Sequence, residues 1–282
     1  MNLDHLRALA ATIDTGSFEA GAAALHLTPS AVSQRIKALE KATGQLLVRR
    51  TKPTEPTTAG ERYLRLARQI DALVAEAEAT EQSTVTIPLA MSSDALATWA
   101  LPALARVRPG ISFDLHREDQ DHSADLLRAG TVMAAITTDF RPVQGCTVTR
   151  LGTMRYRPMA TESFIETWFP GGATPAALAA APVIVFDRKD DLQDRYLRSR
   201  SRSRLDPPRH HIPGSQDFAR AVRLGLGWGM LPDQQSEGVV DLDPGNHVDV
   251  ELYWQQWSLH MPALDAVAEA IKMAAPSVSG AN

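Results

Sequence analysis

The segment TPSAVSQRIKALE, residues 28–40, constrains the chain more than any other. It predicts a helix with a defined start. The Thr28 hydroxyl can accept a free backbone N–H of the first turn. Pro29 then occupies the first helical position, where proline is best tolerated. At ~100° per residue, Val32, Ile36 and Leu39 share one face. Ser30, Ser33, Gln34 and Lys37 share the opposite one. That outer stripe has hydrogen-bond donors and acceptors, one cation and no carboxylate. A helix entering the DNA major groove needs those properties. The stripe alone would also fit an ordinary surface helix, so its neighbours decide.

Upstream, Leu3, Leu6, Leu9, Ala10 and Ile13 recur at helical spacing. Gly16 ends that helix and Ser17 can cap the next, with Glu19 in its first turn. The second helix runs through AGAAAL, whose small residues permit close packing, and turns at His26–Leu27. Two short helices, a tight turn and a helix with a polar outer face make a helix-turn-helix. Gly44 stops the third helix. QLLVRR then predicts a short strand ending in Arg49 and Arg50, and TKPTEPT a turn or wing. In a wing beside the recognition helix the two arginines would meet phosphate. At a bare strand end they would only be solvated.

Charge supports this division. Residues 1–65 hold nine Lys/Arg against six Asp/Glu, whereas the whole chain has 29 against 33. A basic patch on one small domain is the electrostatic footprint of a nucleic-acid binder. The single cysteine, Cys146, rules out an intramolecular disulfide, so a reducing cytosol is the expected setting. Asp4, His5 and Arg7 stand where a signal peptide would be apolar. The most apolar stretch, around residues 176–186, is interrupted by Pro182 and too short to span a bilayer. We therefore expect a cytoplasmic protein with no membrane partner.

Thr58-Ala-Gly-Glu61 has the form of a capping box opening a long helix. Along it Tyr63, Leu66, Ala67, Ile70, Leu73, Val74 and Ala77 recur every three or four residues. This narrow seam wants a partner helix. No nearby segment looks free to cover it, so a homodimer is expected.

These residues carry a family likeness. The stretch GSFEAGAAALHLTPSAVSQRIKALEKATGQLLVRR resembles the N-terminus of LysR-type transcriptional regulators. The likeness continues through DALATW at 94–99, MAAITT at 133–138, GLGWGMLP at 225–232 and LYWQQW at 252–257. Those motifs look like the subgroup that governs basic amino-acid export, an activator of lysine export among them. The resemblance implies an α/β protein: an N-terminal winged helix-turn-helix with a long linker helix, followed by a two-lobed effector domain like a periplasmic binding protein. It places the DNA-binding domain at 1–57, the linker and dimerisation helix at 58–82 and the effector-binding domain at 83–282. Within the last, lobe I takes 83–157 and 257–282, and lobe II takes 158–256. Operator DNA, a small-molecule effector (lysine, arginine or histidine), a dimer of dimers and RNA polymerase are the implied partners.

The residues of the second half agree with such a domain. Apolar runs that read as strands alternate with helical ones: TIPLAM then DALATWALPALARV, ISFDLH then SADLLRAG, then MAAITT. This βαβ alternation implies a mostly parallel sheet. Residues 148–160 and 250–258 read as strands crossing between lobes, which puts a ligand beside the carboxyl ends of the strands. Candidate effector residues at those ends are Ser93, Asp94, Glu118, Asp119, Thr138, Asp190, Gln193 and Ser215. A cationic amino acid needs carboxylates for its ammonium groups and donors for its own carboxylate. Asp and Ser also cap helices at strand-to-helix turns, so each residue singly has a plainer role open to it. The subgroup usually has Asn-Ala-Asp-Ser where this chain has Ser92 to Ala95.

On DNA, the candidate contacts are Thr28, Pro29, Ser30, Ser33, Gln34, Arg35, Lys37, Arg49 and Arg50. The family often has Arg where this chain has Gln34, and Gln where it has Arg35. The exchange favours adenine over guanine at that position. Arg35 lies ~140° from Ser30 on the wheel, so it faces phosphate or a neighbouring element. The arginine run 195–209 would be a second DNA contact or a solvated helix end. The eight histidines show no metal-ligand spacing with cysteine. There is no Gly-rich phosphate loop, nucleophile elbow or paired-His zinc helix. Neither metal, cofactor nor enzymatic activity is expected. The competing reading is a regulator of another small molecule, or a small-molecule receptor or enzyme with an incidental helical head. Salt-dependent, sequence-selective DNA binding separates the classes.

Overall fold

In the computed structural model, which describes residues 2–78, 84–117 and 123–276, three capped helices build the N-terminal head. They are α1 (Leu3–Asp14), α2 (Phe18–Ala24) and α3 (Pro29–Thr43). Asn2, Ser17 and Thr28 cap them, each accepting a backbone N–H two or three residues on. His26, with φ 55°, makes the turn into α3. Leu6, Leu9, Val32, Ile36 and Leu39 are fully buried together. The strand expected over QLLVRR is only β1 (Val48–Arg49), paired antiparallel with β2 (Glu55–Pro56). Thr54 N–H donates to Gly16 O at 2.8 Å, fastening this wing to the turn between α1 and α2.

The linker helix α4 (Thr58–Glu78) starts one residue away from the expected cap. Thr57, not Thr58, holds the end. Its hydroxyl accepts from Gly60 N–H at 3.0 Å and donates to Leu46 O at 2.7 Å. Being tied as well to the segment that leads into β1, Thr57 wins over its neighbour. Gly60 is required by the same closeness, because a Cβ there would lie 1.9 Å from Leu47 O.

The apolar seam of α4 is also covered more than expected. Leu64 and Ala67 are buried in the head's core, with Tyr63, Leu66 and Ile70 packed against it. Helix α1 supplies much of this cover, and Arg7 Nε adds an ion pair to Asp71 at 2.9 Å. The expectation that nothing nearby covers the seam is therefore corrected for its N-terminal half. Leu73 remains 40% exposed.

The chain continues through β3 (Val85–Met91), α5 (Ser93–Ala95), a π-helical turn at Leu96–Ala100 and α6 (Leu101–Leu104). Next come β4 (Ile111–Arg117), α7 (Ser123–Ala129), β5 (Ala134–Thr137) and the long β6 (Cys146–Ala160). Then follow α8 (Glu162–Trp168), α9 (Pro175–Ala180), β7 (Val183–Val185), α10 (Leu192–Arg200) and β8 (Arg209–His211). Last are α11 (Ser215–Arg223), β9 (Gly229–Pro232), β10 (Val240–Asp241), β11 (Val248–Trp257) and α12 (Pro262–Ala274). No helix among the described residues is long and apolar enough to cross a membrane.

These elements fall into two units. The first comprises Met1–Ala90, Arg108–Val148 and Gln255–Val267. In it the strand order is β5-β3-β4, and β3 runs parallel to β5 with Leu89 opposite Ala134. Helix α4 packs on α7. Arg68 fastens the two: it donates to Ala129 O at 2.9 Å and Thr131 Oγ1 at 3.2 Å, and pairs with Asp14 of the head. A Cβ on Gly130 would lie 2.8 Å from Arg65 Cα, so only glycine fits this contact.

The second unit comprises Met91–Val107, Thr149–Trp254 and Ala268–Asn282. Its strand β6 is flanked by β10 and β11, and β9 pairs antiparallel with it from Tyr156 to Met159. Strands β7 and β8 are parallel. The expected mostly parallel sheet is thus mixed, because the long β6 collects antiparallel partners. Met159, Ile184, Phe218, Val222 and Leu231 form a buried cluster within this unit.

Candidate DNA interface and ligand site

The start of α3 is held open to solvent by its own cap. Thr28 Oγ1 accepts Ala31 N–H at 3.2 Å and shares a 3.0 Å hydrogen bond with Ser30 Oγ. Thr28, Pro29, Ser30, Gln34 and Lys37 are exposed, and Ser33 is half-buried. They stand opposite Val32, Ile36 and Leu39, so burial of those three turns the polar stripe outward. Arg35 goes to a neighbouring element, with Nη2 3.6 Å from Asp4. Arg49 and Arg50 are exposed at the end of β1. The Arg50 guanidinium sits 5.1 Å from the centre of the Phe18 ring, a cation–π contact that orients the side chain while leaving its charge available. The assembly is an exposed polar face with cations on the adjoining wing.

The candidate ligand residues separate. Ser93, Asp94, Asp190, Gln193 and Ser215 belong to the second unit, and Thr138 to the first. Glu118 and Asp119 lie outside the described residues. Within the second unit Ser93 Oγ accepts Ser215 N–H at 3.1 Å, joining the starts of α5 and α11. Ser215 is buried and its hydroxyl is engaged by Gln235 at 3.0 Å, so it holds the local frame. Asp94 Oδ2 accepts the Tyr156 hydroxyl at 2.8 Å. After Asp94 the helix widens into the π-helical turn. Thr98 Oγ1 donates to Asp94 O at 2.6 Å and Gln216 to Ala97 O at 3.3 Å, satisfying carbonyls there.

Asp190 closes the turn before α10. Its oxygens accept Phe186 N–H at 3.1 Å and Leu192 N–H at 3.0 Å. Burial pushes its carboxyl above the usual range. Those two hydrogen bonds pull it back, and the charges of Asp94 and Asp187 push it up again. The charge of Asp94 is thus felt at Asp190. In the first turn of α10, Gln193 is 1% exposed and its Oε1 has no hydrogen-bond partner among the described residues. The cluster is rich in acceptors and negative charge, which suits a ligand bearing N–H⁺ groups. Tyr156 and Gln235 escaped sequence reading. Each acts on a residue 62 or 20 positions away, and no local spacing announces such a pair. No group of three or more His, Cys, Asp or Glu that could hold a metal occurs among the described residues.

Comparison with known proteins bears on both sites. Residues 3–61 match the bacterial regulatory helix-turn-helix family of lysR type, and residues 80–276 match the LysR substrate-binding domain. The chain belongs to the LysR family. This LysR regulator is 43% identical over 285 residues to the HTH-type transcriptional regulator LysG of Mycobacterium tuberculosis, covering 96% of this chain and 92% of that one. It is 39% identical over 286 residues to the lysine export transcriptional regulatory protein LysG of Corynebacterium glutamicum, covering 98% of each. The solved structure of full-length C. glutamicum LysG with bound effector Arg superposes with a TM-score of 0.83 at 37% identity, over 97% of this chain and 98% of that one. These relatives are named as transcriptional regulators. The expected architecture, a helix-turn-helix head followed by an α/β effector domain, is the one observed.

Proposed function

We propose that this LysR regulator is a cytoplasmic activator of a basic amino-acid export gene, with lysine or arginine as its effector. The acceptor cluster of Asp94, Asp190 and the unpartnered Gln193 Oε1 carries the reading, since it offers a cation what a neutral or anionic ligand would not need. The lysine-export name of one relative and the arginine bound to its structure favour the same class. Residues 1–57 form the DNA-binding domain, 58–82 the linker and dimerisation helix and 83–282 the effector-binding domain. Ser30, Ser33 and Gln34 read base edges while Lys37, Arg49 and Arg50 meet phosphate. The protein works as a homodimer or dimer of dimers with RNA polymerase as a further partner, and the bound effector re-spaces the DNA-binding heads. The effect on transcription can be no larger than the effector's differential affinity for the two states.

Calorimetry of the full-length protein with lysine, arginine, histidine, leucine and benzoate tests this. Basic amino acids should bind. Asp94→Asn should weaken them by ~1.5–3 kcal/mol, the usual worth of a hydrogen bond to a charged group, while operator affinity without ligand stays constant. Binding of leucine or benzoate alone would overturn the reading.

A further inference from the structure

The segment Arg195–Arg204 holds five arginines and no acidic residue, in a chain whose net charge is −4. Helix α10 accounts for part of it. Its last-turn carbonyls favour nearby cations, and Arg198 and Arg200 lie there. Arg200 pairs with Asp243 at 2.7 Å, and Arg198 with Asp191 at 3.3 Å. Arg202 and Arg204 follow the helix, are exposed and have no ion pair among the described residues. With Arg198, Ser201, Ser203 and two leucines they line a half-open cavity of about 670 Å³. The one carboxylate on its wall, Asp194, is taken by Arg209 in a two-pronged pair at 2.7 and 3.1 Å. That pair neutralises Asp194 and leaves the wall with a surplus of positive charge.

Guanidinium forks bind phosphate oxygens two at a time, and serine hydroxyls add donors. The volume is that of a small-molecule site. The lining contains no aromatic side chain, so a nucleobase would find nothing to stack on. We propose that this cavity binds a small polyphosphate anion, recognised through its phosphate groups whether these are inorganic or carried by a nucleotide. Asp190 and Gln193 flank the start of α10 and the cavity lies at its end, so occupancy would brace the helix beside the candidate effector residues. The proposal stands independently of the effector's identity.

Equilibrium dialysis of the full-length protein with tripolyphosphate, and separately with ATP, tests it against the double variant Arg202→Ala/Arg204→Ala. Both probes should bind saturably. Each should lose at least tenfold in affinity in the variant and weaken steeply with salt. Sites on the basic head would persist in the variant, which separates the two regions. Equal binding by variant and parent would overturn the proposal, as would binding of ATP without tripolyphosphate. A matching loss of operator affinity in the variant, with operator DNA displacing tripolyphosphate from the parent, would also overturn it and make the surface a DNA contact.

Discussion

Replacing Arg68 by alanine should loosen the hold of the linker helix on α7 and on the head. The side chain donates to Ala129 O and Thr131 Oγ1 at 2.9 and 3.2 Å and also pairs with Asp14. Asp14 is 48% exposed, so its pair contributes below ~1 kcal/mol. The two other acceptors become hydrated when Arg68 is lost, so each bond counts for ~0.5–1.5 kcal/mol net. The sum is about 1–4 kcal/mol of local stability. At ~1.4 kcal/mol per factor of ten, amide exchange through local opening should quicken by about 5- to 1000-fold. Hydrogen-exchange mass spectrometry on peptides spanning 58–78 and 123–132 reads this directly. Arg68→Lys, which keeps charge without the planar fork, should fall between. Unchanged exchange in both peptides of Arg68→Ala would refute the reasoning, since those bonds would then hold nothing.

Gly60→Ala should destabilise the head by at least ~1–3 kcal/mol, because the new methyl group meets Leu47 O and an overpacked core cannot yield; a thermal melt checks it. Leu73→Asp should lower the assembled mass in light scattering without unfolding the head, since Leu73 is 40% exposed whereas Ile70 packs on the head's core. The Cys146 thiol, pushed up to about 11 by burial, should react slowly with a disulfide reagent at pH 8, where about one in a thousand is thiolate. Its rate should rise steeply in denaturant.

The head was legible because its determinants are local. A cap at Thr28, a proline beside it and apolar residues at helical spacing specify α3 within a dozen residues. The alternation of strands and helices beyond residue 84 was legible for the same reason. What escaped depends on distant partners. Thr57 displaces Thr58 as cap because Leu46, 11 residues back, claims its hydroxyl. The seam of α4 reads as unpartnered until α1 is folded against it. The place of Asp94 after a strand is readable in the sequence, but Tyr156, which donates to it, reads like any residue of a long strand.

The interleaving of the two units has a consequence for biosynthesis. The head, whose core is completed by Leu64 and Ala67 of α4, draws only on residues up to Ile70 and can fold soon after they leave the ribosome. The remainder of the first unit cannot, since it needs Gln255–Val267. Gln255 alone accepts Val143 N–H at 2.9 Å and donates to Asp139 O and Arg141 O at 2.9 and 3.0 Å. Trp257 N–H donates to Met133 O at 3.0 Å. A chain stopped by a nonsense codon shortly before Gln255 would therefore leave a finished head on an unfinished body. Such a truncated product would be able to compete for operator DNA while being unable to respond, a dominant defect arising from the order in which the strands are synthesised.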